Sequence, residues 1–150
     1  MDWVRPATLG YLDGVVTSLA LLAFSLGVAP ESVLWFGFAG WLAGSISMSV
    51  NEFVSVTDQN RSEGTSYSPW TAALSSFAAF SVGALLPLGP VLIDTWIGLV
   101  AGLCSVFIAG VVLSRFTKRG KLAGGVRLLA YAGAAVLVTL VIGLSLGVQV

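Results

Sequence analysis

At 150 residues the chain has the length of one ordinary domain, yet it is 57% hydrophobic and 9% charged, with mean hydropathy +0.96. That composition excludes a water-soluble globule, because there is too little polar surface to cover a core. Seven acids balance seven bases, so net charge is zero, and no basic run interleaved with aromatics points to a nucleic-acid partner.

The spacing of the charges is more informative than their sum. Uncharged runs of 17, 20, 30, 20 and 23 residues follow Asp13, Glu31, Glu63, Asp94 and Arg127 (the second ending at Glu52). A helix needs roughly 20 residues to cross about 30 Å of hydrocarbon, and lipid forces each segment to satisfy its own backbone hydrogen bonds. The chain lacks the repeated alternation of a membrane barrel. The expected fold is therefore all-α, a single polytopic domain spanning residues 1–150 with five transmembrane helices.

Helix 1 is expected over about Leu9 to Val28. Its start carries Asp2 and Asp13 beside Arg5, and no small-residue cleavage site follows, which argues against a cleavable signal peptide. After Ala29, Pro30 and Glu31, helix 2 is expected from Ser32, a candidate cap, to about Val56. The polar stretch Thr57 to Ser68 reads as a solvent-exposed connection. Helix 3 is expected from Pro69, a favourable first-turn residue, to about Leu86, where Pro87 and Pro90 predict a kink or break, either a hinge or a static turn. Helix 4 is expected over about Leu92 to Leu113, with Cys104 as a small core filler, and helix 5 over about Val126 to Leu146.

Five crossings put Arg5, Arg61, Arg115, Lys118, Arg119, Lys121 and Arg127 on one side and no base on the other. The positive-inside rule makes that side, and the N-terminus, cytoplasmic. Glycine pairs at four-residue spacing, Gly10 with Gly14, Gly40 with Gly44, Gly98 with Gly102 and Gly143 with Gly147, predict close helix packing.

Asp13 and Glu52 are the informative polar residues. Both fall about a turn inside the cytoplasmic face, where a carboxylate costs several kcal/mol unless it faces the bundle interior, a wet cavity or a counter-charge. Plainer readings stand beside this one: Asp13 as an interfacial anchor, Glu52 as the solvent end of helix 2. Met48 lies four residues before Glu52 on the same side, with Ser45 and Trp41 on the outward turns and Ser55 and Gln59 on the inward ones. Carboxylate with thioether suits a late first-row divalent cation, although a lone membrane methionine is more often packing. No histidine, thiolate cluster, nucleophile triad, phosphate loop or HExxH motif is present, so the chain is not expected to be an enzyme.

Asp13-Gly14 before an apolar helix, then AGWLAGSISMSVNEFVSV from Ala39 to Val56, then AFSVGALLPLGP from Ala79 to Pro90, together resemble the vacuolar iron transporter family. The resemblance runs from about Gly10 to the last helix. It implies a VIT-like five-helix fold and a divalent iron or manganese transporter that removes metal from the cytoplasm by exchange with protons. It further implies a homodimer whose pathway is lined mainly by helices 1 and 2, with Asp13, Met48 and Glu52 at the family's aspartate, methionine and glutamate. The metal is cargo, and no cofactor is implied.

Two departures stand out. Many members insert a glutamate-rich cytoplasmic metal-binding domain between helices 2 and 3, where this chain has about a dozen residues with Asp58 and Glu63 as its acids. Asn51 stands where the family commonly has glycine, and its amide either adds an oxygen ligand or blocks close approach. The accessory candidates are therefore Asn51, Ser45, Asp58 and Glu63. A bacterial plasma membrane is the expected location. The alternative to transport is a structural or assembly role in the membrane. A small four-helix drug exporter fits less well, since that class places its glutamate in helix 1.

Overall fold

The computed structural model describes residues 3–115 and 120–147. Five α-helices carry the fold: α1 Val4–Val28, α2 Val33–Glu63, α3 Pro69–Val91, α4 Thr95–Leu113 and α5 Lys121–Gly147. All five are long and apolar enough to cross a membrane.

Most helices are longer than the apolar pattern alone indicates. The 31 residues of α2 span about 46 Å at 1.5 Å per residue, well beyond the hydrocarbon core. Its polar last turns, expected as loop, stay helical because nothing there breaks a helix before Gly64. Thr57 donates its hydroxyl back to the Phe53 carbonyl, and Gln59 donates to Glu63 one turn on. Gly64, at φ 66°, ends the helix in the left-handed region that glycine adopts without steric cost. α5 likewise begins at Lys121 rather than Val126, its Gly124 and Gly125 held in the helix by close packing on α4.

The connections are short. Between α1 and α2 a 3-10 turn over Pro30–Ser32 intervenes, and Ser32 makes no side-chain cap, contrary to expectation. Its backbone, at φ −103° and ψ 6°, is not the extended conformation from which a serine hydroxyl reaches the first-turn amides. Between α2 and α3, Asn60 pins the turn: its Oδ1 accepts from the Thr65 hydroxyl at 2.8 Å and the Tyr67 amide at 3.0 Å, and its Nδ2 donates to the Tyr67 carbonyl at 2.7 Å. Ser68 then caps α3 by accepting from the Thr71 amide, ahead of Pro69.

The structure carries α3 through Pro87 and Pro90 to Val91 instead of ending it near Leu86. Each proline removes one amide donor, and both fall in the last two turns. The chain reverses beyond them, where the Leu92 and Ile93 amides donate to the Gly89 and Pro90 carbonyls. Asp94 opens α4 as its N-cap, accepting from the Trp96 amide at 2.8 Å and the Ile97 amide at 3.3 Å.

Glycine contacts fix the helix directions. A Cβ on Gly10 would lie 2.6 Å from the Ser76 carbonyl, Gly14 abuts Phe80, and Gly83 abuts Tyr11, so α1 and α3 run parallel with backbones touching. Gly143 meets Phe24, and Gly147 one turn on meets Gly27, so α5 is parallel to α1 as well. Since lipid removes the hydrophobic drive between helices, dispersion across such close approaches must hold the bundle. The second glycine of the α4 pair, Gly102, and both glycines of the α2 pair, Gly40 and Gly44, face side-chain ends instead: Leu19, Leu21 and Phe80 respectively. Gly98 faces the Pro87 carbonyl and Val91.

α1 lies at the centre, packed on each of the other four helices. Val15, Leu19 and Leu22 from it join Val33, Leu88, Leu99, Val106 and Ala132 in the core. The outer surface is apolar, with Trp35 75% and Ile93 82% exposed, as a lipid-facing surface requires. Cys104 belongs to that surface; it is exposed beside Phe107 and Leu129 and does not fill the core. The direction of the helices gathers Arg5, Arg61, Arg115, Lys121 and Arg127 toward one end, while Glu31 and Asp94 mark the other. Lys118 and Arg119 lie outside the described residues.

Candidate functional site

Glu52 lies in the basic half of α2 and is half-buried. It opens into a cavity of about 230 Å³ whose α2 wall continues through Ser55, Val56 and Gln59, the residues that share its side of the helix. Arg5 and Pro6 from the first turns of α1 form the facing wall. Tyr67, Ser68 and Ala72, from the pinned turn and the start of α3, complete it. The cavity exists because α1 and α3, in backbone contact at Gly10 and Gly14, leave room near their starts where α2 passes with its polar strip.

Met48 is half-buried one turn further into the membrane and does not line this cavity. Ser45 is fully buried and donates its hydroxyl to the Leu42 carbonyl at 3.1 Å. That back-bond satisfies the donor within its own helix and leaves only acceptor capacity.

Asp13 is placed differently. It is exposed on α1, where the Thr17 hydroxyl donates to its Oδ1 at 3.4 Å. Thr17 and Leu21, the next residues along its strip, line an open groove between α1 and α5 with Val16, Ala20, Phe24 and Thr139. Leu21 also abuts Gly40 of α2, so the strip that begins at Asp13 looks outward between α2 and α5. A single chain therefore does not bring Asp13 to the Glu52 cavity. Among the described residues no group of three acidic, cysteine or histidine side chains could hold a metal ion.

The remaining candidates lie along α2, Asn51 beside Glu52 and Asp58 and Glu63 toward its polar end. Asn51 is exposed. Asp58 meets Arg61 at 3.9 Å with both side chains more than two-thirds exposed, and Glu63 accepts from Gln59 at 2.9 Å. Pairs this open to water contribute roughly 0–1 kcal/mol. Arg5, Tyr67 and Ser68 were not foreseen as site residues. Arg5 reads in sequence only as a topology-setting charge, and its place opposite Glu52 follows from the parallel pairing of α1 with α3.

These features define a class: a polytopic helical membrane protein with one carboxylate in a polar vestibule and another on an uncovered helix face. The VIT family model matches residues 4–66 and 60–144, nearly the whole chain. Vacuolar iron transporter homolog 3 of Oryza sativa subsp. japonica is 35% identical over 152 aligned positions, covering 83% of this chain and 60% of that protein. Homolog 2 of the same plant is 36% identical over 73% of this chain and 71% of its own length. Homolog 1 of Arabidopsis thaliana is 38% identical over 58% of this chain and 52% of its own. The chain belongs to the VIT family. It spans about half the length of several of the curated relatives it matches.

Proposed function

We propose that the protein moves divalent iron or manganese out of the cytoplasm in exchange for protons, and that it does so as a homodimer. The observation that carries this reading is the half-buried Glu52 in a polar cavity at the basic, cytoplasmic end of the bundle. A carboxylate in that position is available to a cation arriving from the cytoplasm. The names of the relatives, vacuolar iron transporter homologs, supply the cargo class.

The exposed strip of Asp13 supports the second copy. One chain offers two carboxylates and one thioether on two different faces, too few and too dispersed for an ion that must shed much of its water. Two chains meeting along α1 and α2 bring Asp13, Met48 and Glu52 of each to a shared pathway. Four carboxylates crowded in low dielectric repel one another unless protons or a metal ion neutralise them. Occupancy by one then opposes occupancy by the other, which is the physical basis of exchange. The same direction, away from the cytoplasm, holds whether the bilayer is a bacterial plasma membrane or a vacuolar one.

Reconstitution in liposomes with an interior metal-quenched dye tests the proposal. Under an imposed pH gradient, Fe²⁺ or Mn²⁺ influx is expected for wild type and is expected to be lost in Glu52→Gln and in Asp13→Asn. Unchanged uptake in Glu52→Gln removes that residue from the mechanism. A well-folded wild type inactive toward both ions favours the structural or assembly role instead.

A further inference from the structure

Among the described residues, half-buried Glu52 and exposed Arg5 are the charged groups that line the vestibule, one on each of two walls. Among the described residues no ion pair joins them. The Arg5 side chain is a cation, so the vestibule carries a positive charge across from the acid. A cation pathway needs binding strong enough to admit its ion and weak enough to release it. The crowded carboxylates of the shared pathway would hold a divalent ion tightly and release it slowly unless a fixed positive charge opposed it.

We propose that Arg5 is a tethered resident cation that sets the affinity of the Glu52 vestibule. From the opposite wall it offsets part of the charge of Glu52 without pairing to it; an entering divalent ion feels its repulsion, which speeds release. This inference rests on the reading of Glu52 as a transport residue. It assigns Arg5 a role distinct from anchoring to lipid headgroups, for which any of the bases near this end would serve.

Coulomb repulsion scales with the charge of the entering ion, so removing Arg5 changes the logarithm of affinity twice as much for a divalent ion as for a monovalent one. In the liposome assay, Arg5→Gln is expected to lower KM for Mn²⁺ by about tenfold and to reduce the maximal rate as release slows, while inhibition by K⁺ strengthens by only about threefold. Arg5→Lys, which keeps the charge, is expected to stay near wild type. Gln59→Lys adds a second positive charge to the same cavity and is expected to raise KM; it serves as the test if Arg5→Gln does not fold.

A KM for Arg5→Gln within twofold of wild type, or Arg5→Lys behaving like Arg5→Gln, overturns the proposal and leaves Arg5 as a headgroup anchor. Unchanged uptake in Glu52→Gln overturns instead the assignment on which it stands. The two failures are thus separable in one set of measurements.

Discussion

The same helix pair, α1 and α3, behaves in two ways along its length. Around Gly10, Gly14 and Gly83 the backbones touch and a single added carbon would collide with a carbonyl oxygen. Toward the basic end, past Pro6 and Ala72, the pair no longer closes on α2, and a cavity holding Glu52 and Arg5 takes its place. The seam holds no charged side chain, its polar group being the buried Ser76 hydroxyl beside Gly10, and the vestibule has few contacts with which to hold the bundle. Separating the two lets a charged site sit at the edge of a membrane bundle without loosening its centre.

Breaking the seam should have the larger effect. Gly83→Val places its Cβ and two methyls against the Tyr11 carbonyl, a backbone atom that cannot rotate away. Overpacking of that kind costs typically 1–3 kcal/mol and more where backbone must shift, so the folded-to-unfolded ratio in detergent unfolding measurements is expected to fall by roughly 5- to 150-fold. Wild-type stability in that variant would mean that α1 and α3 are not in backbone contact.

Loosening the vestibule should act more gently. Asn60→Ala removes three hydrogen bonds that hold Thr65 and Tyr67, at about 1 kcal/mol each before compensation by water. The expected result is a drop of a few degrees in melting temperature together with altered transport KM, because Tyr67 and Ser68 lose their fixed place in the cavity wall. A change in stability with no change in KM would separate the turn from the site. Least affected should be Asp58→Asn, whose exposed pairing with Arg61 is worth under about 1 kcal/mol; both melting temperature and KM are expected to stay within error.

Much of the candidate chemistry was legible in residue order. Glu52 stands out because a carboxylate inside a long apolar helix demands an explanation, and Ser55 and Gln59 follow it by helical period. Arg5 was not legible as a partner, since 46 residues separate it from Glu52 in the chain. Cys104 is on the lipid side because Gly98, Gly102, Val106 and Gly110 mark the packed side of α4, and Cys104, two residues past Gly102, falls across the helix from them. The ends of α2 and α3 were set too short because hydropathy reports where lipid stops, whereas a helix stops at Gly64 or beyond Pro90 for reasons of backbone geometry.

By itself the sequence determined the all-helical class, the five crossings and the gathering of bases toward one end. Each follows from local quantities: the length of an uncharged run against the thickness of hydrocarbon, and the count of charges between runs. Only the tertiary structure decided that α1 is central, that glycines on α1, α3 and α5 let parallel backbones meet, and that Glu52 and Asp13 look in different directions from one chain. In lipid an apolar helix gains little by turning one face rather than another inward, so helix rotation is fixed by shape at close contact, a property that exists only once the partners are in place.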